Sequence, residues 1–320
     1  MIVNSPIELV FTNLFYRLKD FLDEQDVYLK LEGFNVTGSI KIKTAIGLIE
    51  DLEKEGAIEP GRSNIVESSS GNLGIALSLV CAAKGYKFTC VTDPNANQAN
   101  IRGMQLYGAN VVVVDKIDAH GGYLETRLRM IDNMLKSDPN AVWLNQYANL
   151  SNMRAHMNKT AMEIAEEFEK VDWVFVGSGT TGTLCGVSRR LHEIYPDVKI
   201  IAVEPEGSIT FGGVAGKRNI PGIGTSVRPP LADYAEPDDI VYVNERQTVN
   251  SCLAFARDYH LLVGGSTGSV LAAIKNYAGS FAPGDKIVAI SPDLGDKYLD
   301  TIYNAEWTER VFKPRIVAEA

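Results

Sequence analysis

The sequence predicts an α/β protein with parallel sheets flanked by helices, and three features of the chain predict it. Short β-branched runs alternate with helix-length amphipathic segments along most of the 320 residues, the pattern of strand-helix-strand units. Several runs, among them WVFVG and KIIAVEP, are apolar without alternation, as strands are when helices cover both faces of their sheet. Clusters of small and hydroxyl-bearing residues stand at 68–72, 177–183 and 264–269, where a strand or loop hands over to a helix.

In chain order the expected strands are VYLKL (27–31), NIVES (64–68), KFTCVT (87–92), NVVVVD (110–115), AVWLNQ (141–146), WVFVG (173–177), KIIAVEP (199–205), DIVYV (239–243) and KIVAIS (286–291). Each is short, rich in β-branched residues and bounded by polar or turn-forming ones. Helices are expected near 41–56, 72–84, 97–107, 121–137, 151–169, 182–194, 247–260 and 267–278. In the first of these, Ser39 is a natural cap, and Ile42, Ala45, Ile46, Ile49 and Leu52 recur at helical spacing as a buried face. Residues 206–238, rich in Gly and Pro, show no periodicity. A loop of that length is either functional or a surface excursion, and the sequence favours neither.

Composition narrows the function. With 45% hydrophobic residues the chain can bury a substantial core, as one large domain or two modest lobes. Its 40 acidic against 31 basic residues give a net charge of −9 with no basic run, so a nucleic-acid partner has no electrostatic footprint. No stretch approaches the roughly 20 apolar residues of a membrane span, and the first residues lack a basic leader with an apolar core and cleavage site. A cytoplasmic, membrane-free location is the expectation. The four cysteines are scattered without a C-x-x-C pair and the four histidines lack ligand spacing, which disfavours disulfides and metal.

The hydroxyl-rich clusters carry the chemistry. Ser68-Ser69-Ser70-Gly71-Asn72 opens the apolar segment LGIALSLVCAA. Hydroxyls and backbone N–H groups at a helix start make a cradle for carboxylate or phosphate, with plain capping as the alternative. Gly177-Ser178-Gly179-Thr180-Thr181-Gly182-Thr183 is formally a G-x-G-x-x-G after a strand, and Glu204 lies about 20 residues on, where a ribose-binding carboxylate would stand. That keeps a nicotinamide-dependent dehydrogenase in play. The density of hydroxyls suits a terminal phosphate monoester, such as that of pyridoxal phosphate, better than a diester against bare glycines. Gly264-Gly265-Ser266-Thr267-Gly268-Ser269 reads by itself as a flexible turn capped by Ser or Thr.

Two lysines stand in GSIKIKT, residues 38–44. At about 100° per residue, Lys41 lies nearer the expected buried face and Lys43 farther toward solvent. A cation in the first turn meets the positive end of the helix dipole, which favours the neutral amine that condenses with an aldehyde. A solvated surface pair is the competing reading.

In order, GSIK, ESSSGNLGIAL, LYGANV, NQYAN, GSGTTGTLCG, VEPEGS, PGIGTS, GGSTGSVLAA and SPDLGDKYLD resemble the fold-type II pyridoxal-phosphate enzymes of the cysteine synthase and cystathionine β-synthase group, over residues from about 27 to about 300. The resemblance implies two tryptophan-synthase-β-like lobes: a smaller, mobile, substrate-binding one at 42–148 and a larger, cofactor-binding one from 1–41 plus 149–320. It implies a homodimer acting on small amino acids by β-replacement. By its motifs, Lys41 carries the cofactor and Asn72 bonds its phenolic oxygen. Gly179, Thr180, Thr181, Gly182 and Thr183 hold its phosphate, and Ser266 faces its pyridine nitrogen. Ser69, Ser70 and Gly71 hold the substrate carboxylate, with Gln146 beside them. Ile42-Lys43 departs from the family, where arginine usually stands at the second position, and Leu73 replaces a common threonine.

HGGYLETR, NQYAN and PDLGDKYLD are similar to the branch that joins a serine-derived aminoacrylate to the amine of glutamate, supplying 2,3-diaminopropionate for siderophores. Arg127 and Tyr147 are the residues expected to meet such a dicarboxylate nucleophile, and Arg228 a phosphate leaving group on the serine donor. Sulfide or a thiol is the alternative nucleophile, and a non-catalytic binding protein the alternative outside enzymes.

Overall fold

The computed structural model describes residues 2–10, 12–118 and 122–312; His120 and Gly121 of HGGYLETR lie outside the described residues. Its strands are β1 (Phe15–Arg17), β2 (Asp26–Leu31), β3 (Asn64–Ser68), β4 (Lys87–Thr92), β5 (Asn110–Val113), β6 (Ala141–Trp143), β7 (Trp173–Gly177), β8 (Lys199–Pro205), β9 (Asp239–Val243) and β10 (Lys286–Ser291). They form a six-stranded sheet in the order β1-β2-β10-β7-β8-β9 and a four-stranded one in the order β5-β4-β3-β6. Every pairing is parallel except that of β1 with β2. The non-alternating runs have the predicted cause: in β8 every residue from Ile200 to Pro205 is buried, because helices cover both faces.

The helices are α1 (Lys41–Lys54), α2 (Asn72–Lys84), α3 (Gln98–Leu106), α4 (Leu124–Ser137), α5 (Leu150–Ala155), α6 (Ala161–Glu167), α7 (Gly182–Ile194), α8 (Glu245–Tyr259), α9 (Gly265–Asn276) and α10 (Ala305–Phe312). The expected helix at 151–169 is interrupted by a π-helical turn at His156–Thr160, a feature frequent at functional sites. Leu144–Gln146 leaves the sheet after β6, and Asn145 turns the chain with φ +50°. The residues after it thereby reach the end of β3.

Three expectations need correction. Ser39 does not cap α1: the cap position is Ile40, and the Ser39 hydroxyl is buried without a partner among the described residues. Lys43 does not face solvent but is buried, because carboxylates wait for it inside the protein. The segment at 264–269 is not a flexible turn. It is the buried first turn of α9, where small residues let helices touch: a Cβ on Gly268 would stand 2.4 Å from the Cys252 sulfur on α8.

Candidate active site

Lys41 is the first residue of α1, partly open to solvent. Burial lowers its amine to about 8, so at neutral pH about a tenth of it is unprotonated. Two residues on, Lys43 is held by Glu32 at 2.9 Å and Glu163 at 2.5 Å, and Lys30 reaches the same Glu163 at 2.6 Å. This closed set of two cations and two anions leaves Lys43 no free amine.

The start of α2 gathers the second group. The cap position of α2 is Gly71, and the Ser69 hydroxyl, two residues before it, accepts from the Gly74 N–H of the first turn at 3.0 Å. Gln146 donates its side chain to the Ser68 carbonyl at 3.2 Å, which places it beside the Ser69-Ser70-Gly71 loop. Asn72 donates to Asp293 at 2.8 Å and accepts from Lys297 at 2.8 Å. Burial pushes the Glu67 carboxyl up to about 7, against N–H donors from Ser68 and Gln146, the Trp143 indole and the Arg127 charge. Between pH 4.5 and about 7 the folded chain then keeps a proton that the unfolded chain has released. Stability therefore falls as pH rises through that window. Glu67→Gln is expected to remove this fall, about 3 kcal/mol in size, in urea unfolding at a series of pH values; parallel profiles for the two proteins would contradict it.

Between β7 and α7 lies the third group. Thr181, the residue before α7, has φ +67°, unusual for a β-branched residue and costing about 1–3 kcal/mol of the kind stored at binding sites. The first N–H groups of α7 have no intrahelical acceptors, and Thr180, Thr181 and Thr183 place three hydroxyls in the same stretch of chain, with partners in Asn152, the Thr180 carbonyl and His156. A Cβ on Gly182 would stand 2.4 Å from the Asn152 side chain. Without one, Asn152 reaches Thr180 Oγ1 at 3.1 Å and the Gln146 carbonyl at 2.8 Å, tying this loop to the α2 loop. The buried His156 contacts Thr44 at 3.0 Å, Thr160 at 3.0 Å and Thr183 at 3.3 Å. Burial, then the charges of Lys41 and Lys43, keep it neutral. Asn152 and His156 were missed in the sequence, although their i,i+4 spacing in a helix-like segment places two polar side chains on one face.

Ser266 is buried in the first turn of α9, its Cβ 3.8 Å from the point where a Cβ on Gly177 would stand. The long segment at 206–238 is anchored here too, donating Gly224 N–H to the Ser178 carbonyl at 2.6 Å and Leu231 N–H to the Tyr147 carbonyl at 3.1 Å. Arg127 pairs with Asp93 at 3.4 Å, and its buried Nε has no partner among the described residues. Tyr147 is partly exposed; burial of its hydroxyl raises its pKa, and Arg127 is close enough to oppose that. Arg228 is committed to the Thr210 carbonyl and to Asp233, both at 2.6 Å. Glu204 is wholly buried. It offers no open carboxylate to a ribose, which removes the reason for a dinucleotide reading.

A low-pKa lysine, a strained hydroxyl-lined helix start and an amide at the start of a second helix fit pyridoxal phosphate. Among solved structures, an O-acetylserine dependent cystathionine β-synthase from Helicobacter pylori matches with TM-score 0.87 at 28% identity, over 95% of this chain and 100% of that one. An O-ureido-L-serine synthase matches with TM-score 0.86 at 29% identity, over 95% and 96%. The chain is 38% identical over 318 residues to the N-(2-amino-2-carboxyethyl)-L-glutamate synthase of Ralstonia nicotianae, covering 98% of this chain and 94% of that one. The family described as pyridoxal-phosphate dependent enzyme matches residues 12–293. This chain belongs to that family, as a fold-type II enzyme of β-replacement that uses pyridoxal 5′-phosphate.

Proposed function

We propose that the chain replaces the β-substituent of an O-activated L-serine, O-phosphoserine or O-acetylserine, with the amine of L-glutamate, giving N-(2-amino-2-carboxyethyl)-L-glutamate. The observation that carries this reading is near-full-length similarity to a synthase of that name. The buried Nε–H of Arg127, which has no partner among the described residues, and the influence of Arg127 on the Tyr147 hydroxyl support it, since such a guanidinium donor suits a carboxylate of the incoming nucleophile.

Bound pyridoxal phosphate supplies the electron sink that makes the substrate Cα proton removable. The protein supplies the rest. Lys41 would hold the cofactor and, when its Nζ is free, take the Cα proton as general base. Its lowered pKa makes the unprotonated form available. Gly179 to Thr183 would hold the phosphate group, Asn72 and Ser266 the ring, and Ser69, Ser70, Gly71 and Gln146 the substrate carboxylate. The Cβ–O bond would break as phosphate or acetate leaves, the Cβ–N bond would form as the glutamate ammonium loses one proton net, to the departing phosphate or to solvent, and Lys41 would return its proton to Cα. The same reading carries a route to 2,3-diaminopropionate and siderophores, a cytoplasmic homodimer, and a substrate lobe at 42–148 facing a cofactor lobe from 1–41 plus 149–320. Among the described residues no helix is long and apolar enough to cross a membrane.

A second reading, β-replacement by sulfide or a thiol, is favoured by the likeness to the Helicobacter pylori enzyme. Offering O-phosphoserine or O-acetylserine with glutamate and sulfide together, then weighing the products by mass spectrometry, separates the two. The glutamate adduct is expected to dominate; cysteine as the sole product would overturn the glutamate assignment and leave β-replacement standing.

A further inference from the structure

We infer that Lys297 and Asp293 lock the side-chain amide of Asn72 in a single orientation, which makes Lys297 a positioning residue for the cofactor. The inference rests on the reading that Asn72 meets the cofactor, and it follows from what the two partners are able to offer. Lys297 Nζ sits 2.8 Å from Asn72 Oδ1 and 3.0 Å from the Thr37 carbonyl. An ammonium has donors only, so it demands the amide oxygen. On the other side, Asn72 Nδ2 lies 2.8 Å from Asp293 Oδ2, an oxygen that also accepts from the Tyr298 hydroxyl at 2.6 Å. A carboxylate accepts only, so it demands the amide nitrogen. Turning the amide over would set N–H against ammonium and C=O against carboxylate, two repulsive contacts in place of two attractive ones.

With the orientation fixed, Oδ1 keeps one lone pair and Nδ2 one N–H beyond these two contacts, that N–H standing near the Tyr298 hydroxyl as well. Asn72 is only partly buried, so that N–H remains to serve an acceptor in the cleft. Asn72 belongs to α2, which packs on the strands of the four-stranded sheet, whereas Asp293 and Lys297 follow β10 of the six-stranded sheet. The lock therefore also ties the two sheets together, and a purely structural tie is the competing account. A double-mutant cycle separates the two accounts because a positioning effect needs its target present.

Pyridoxal phosphate is titrated into the cofactor-free full chain, with affinity read from its visible absorbance, for the wild type, Lys297→Met, Lys297→Arg, Asn72→Ala and Lys297→Met/Asn72→Ala. Thermal midpoints of the cofactor-free proteins verify folding. Lys297→Met is expected to weaken binding about tenfold in the native background and less than about twofold when Asn72 is already alanine, with Lys297→Arg close to wild type. An equal loss in both backgrounds overturns the lock and supports the structural tie. If Asn72→Ala by itself leaves affinity unchanged, the placement of Asn72 against the cofactor fails instead, and the lock falls with it.

Discussion

Lys41→Ala is expected to lower turnover by about a thousandfold or more, since on the proposed mechanism it removes the group that takes and returns the Cα proton, a role worth about 10²–10⁴, together with the covalent hold on the cofactor. The visible absorbance of the purified enzyme is expected to disappear with it. Stability should move the other way. Burial has lowered the folded-state pKa to about 8 from 10.5, so below about pH 8 the folded chain carries a partly desolvated charge at a cost the unfolded chain avoids. That penalty is relieved as pH rises from about 8 toward 10.5. The cofactor-free Lys41→Ala protein is therefore expected to melt at or above the wild-type temperature at neutral pH. A variant that still turns over, measured by product formation, would remove Lys41 from the mechanism.

Lys43→Ala, two residues away, is expected to do the reverse. Its ammonium lies between Glu32, which is 0% exposed, and Glu163, and truncation leaves a buried carboxylate short of its cation. Breaking such a pair costs about 3–5 kcal/mol, enough to remove much of the stability of an ordinary domain. Urea unfolding measures the loss. Lys43→Met/Glu32→Gln, which removes a charge of each sign, should recover part of it. Folded Lys43→Ala molecules should keep the visible absorbance. Loss of absorbance without loss of stability would mean the two lysines have been assigned the wrong way round.

These two lysines also show what a sequence can carry. Strand positions were readable from local runs, because a β-branched run buried on both faces looks the same wherever it folds; β3, β4, β7, β8, β9 and β10 fall where those runs stand. The hydroxyl-rich loops proposed to build the site were legible as motifs for a similar reason, since each is local, and Asn152 ties two of them together in the fold. The burial of Lys43 was not, because it is decided by Glu32 and Glu163, 11 and 120 residues away in the chain. Helical spacing alone directed that side chain to solvent. Asn152 and His156 escaped for the same cause: neither belongs to a glycine or hydroxyl cluster, and their partners Thr180, Thr183 and Thr44 come from other elements. The three-residue β1 and the C-terminal α10 carry too little pattern to stand out from loops.

Reduction of the cofactor-loaded enzyme with borohydride, followed by proteolysis and fragment sequencing by mass spectrometry, tests the central assignment most directly, because it marks whichever lysine holds the cofactor. The pyridoxyl group is expected on Lys41, with Lys43 unmodified in the same peptide; a label on Lys43, or on a lysine outside this segment, would contradict the account.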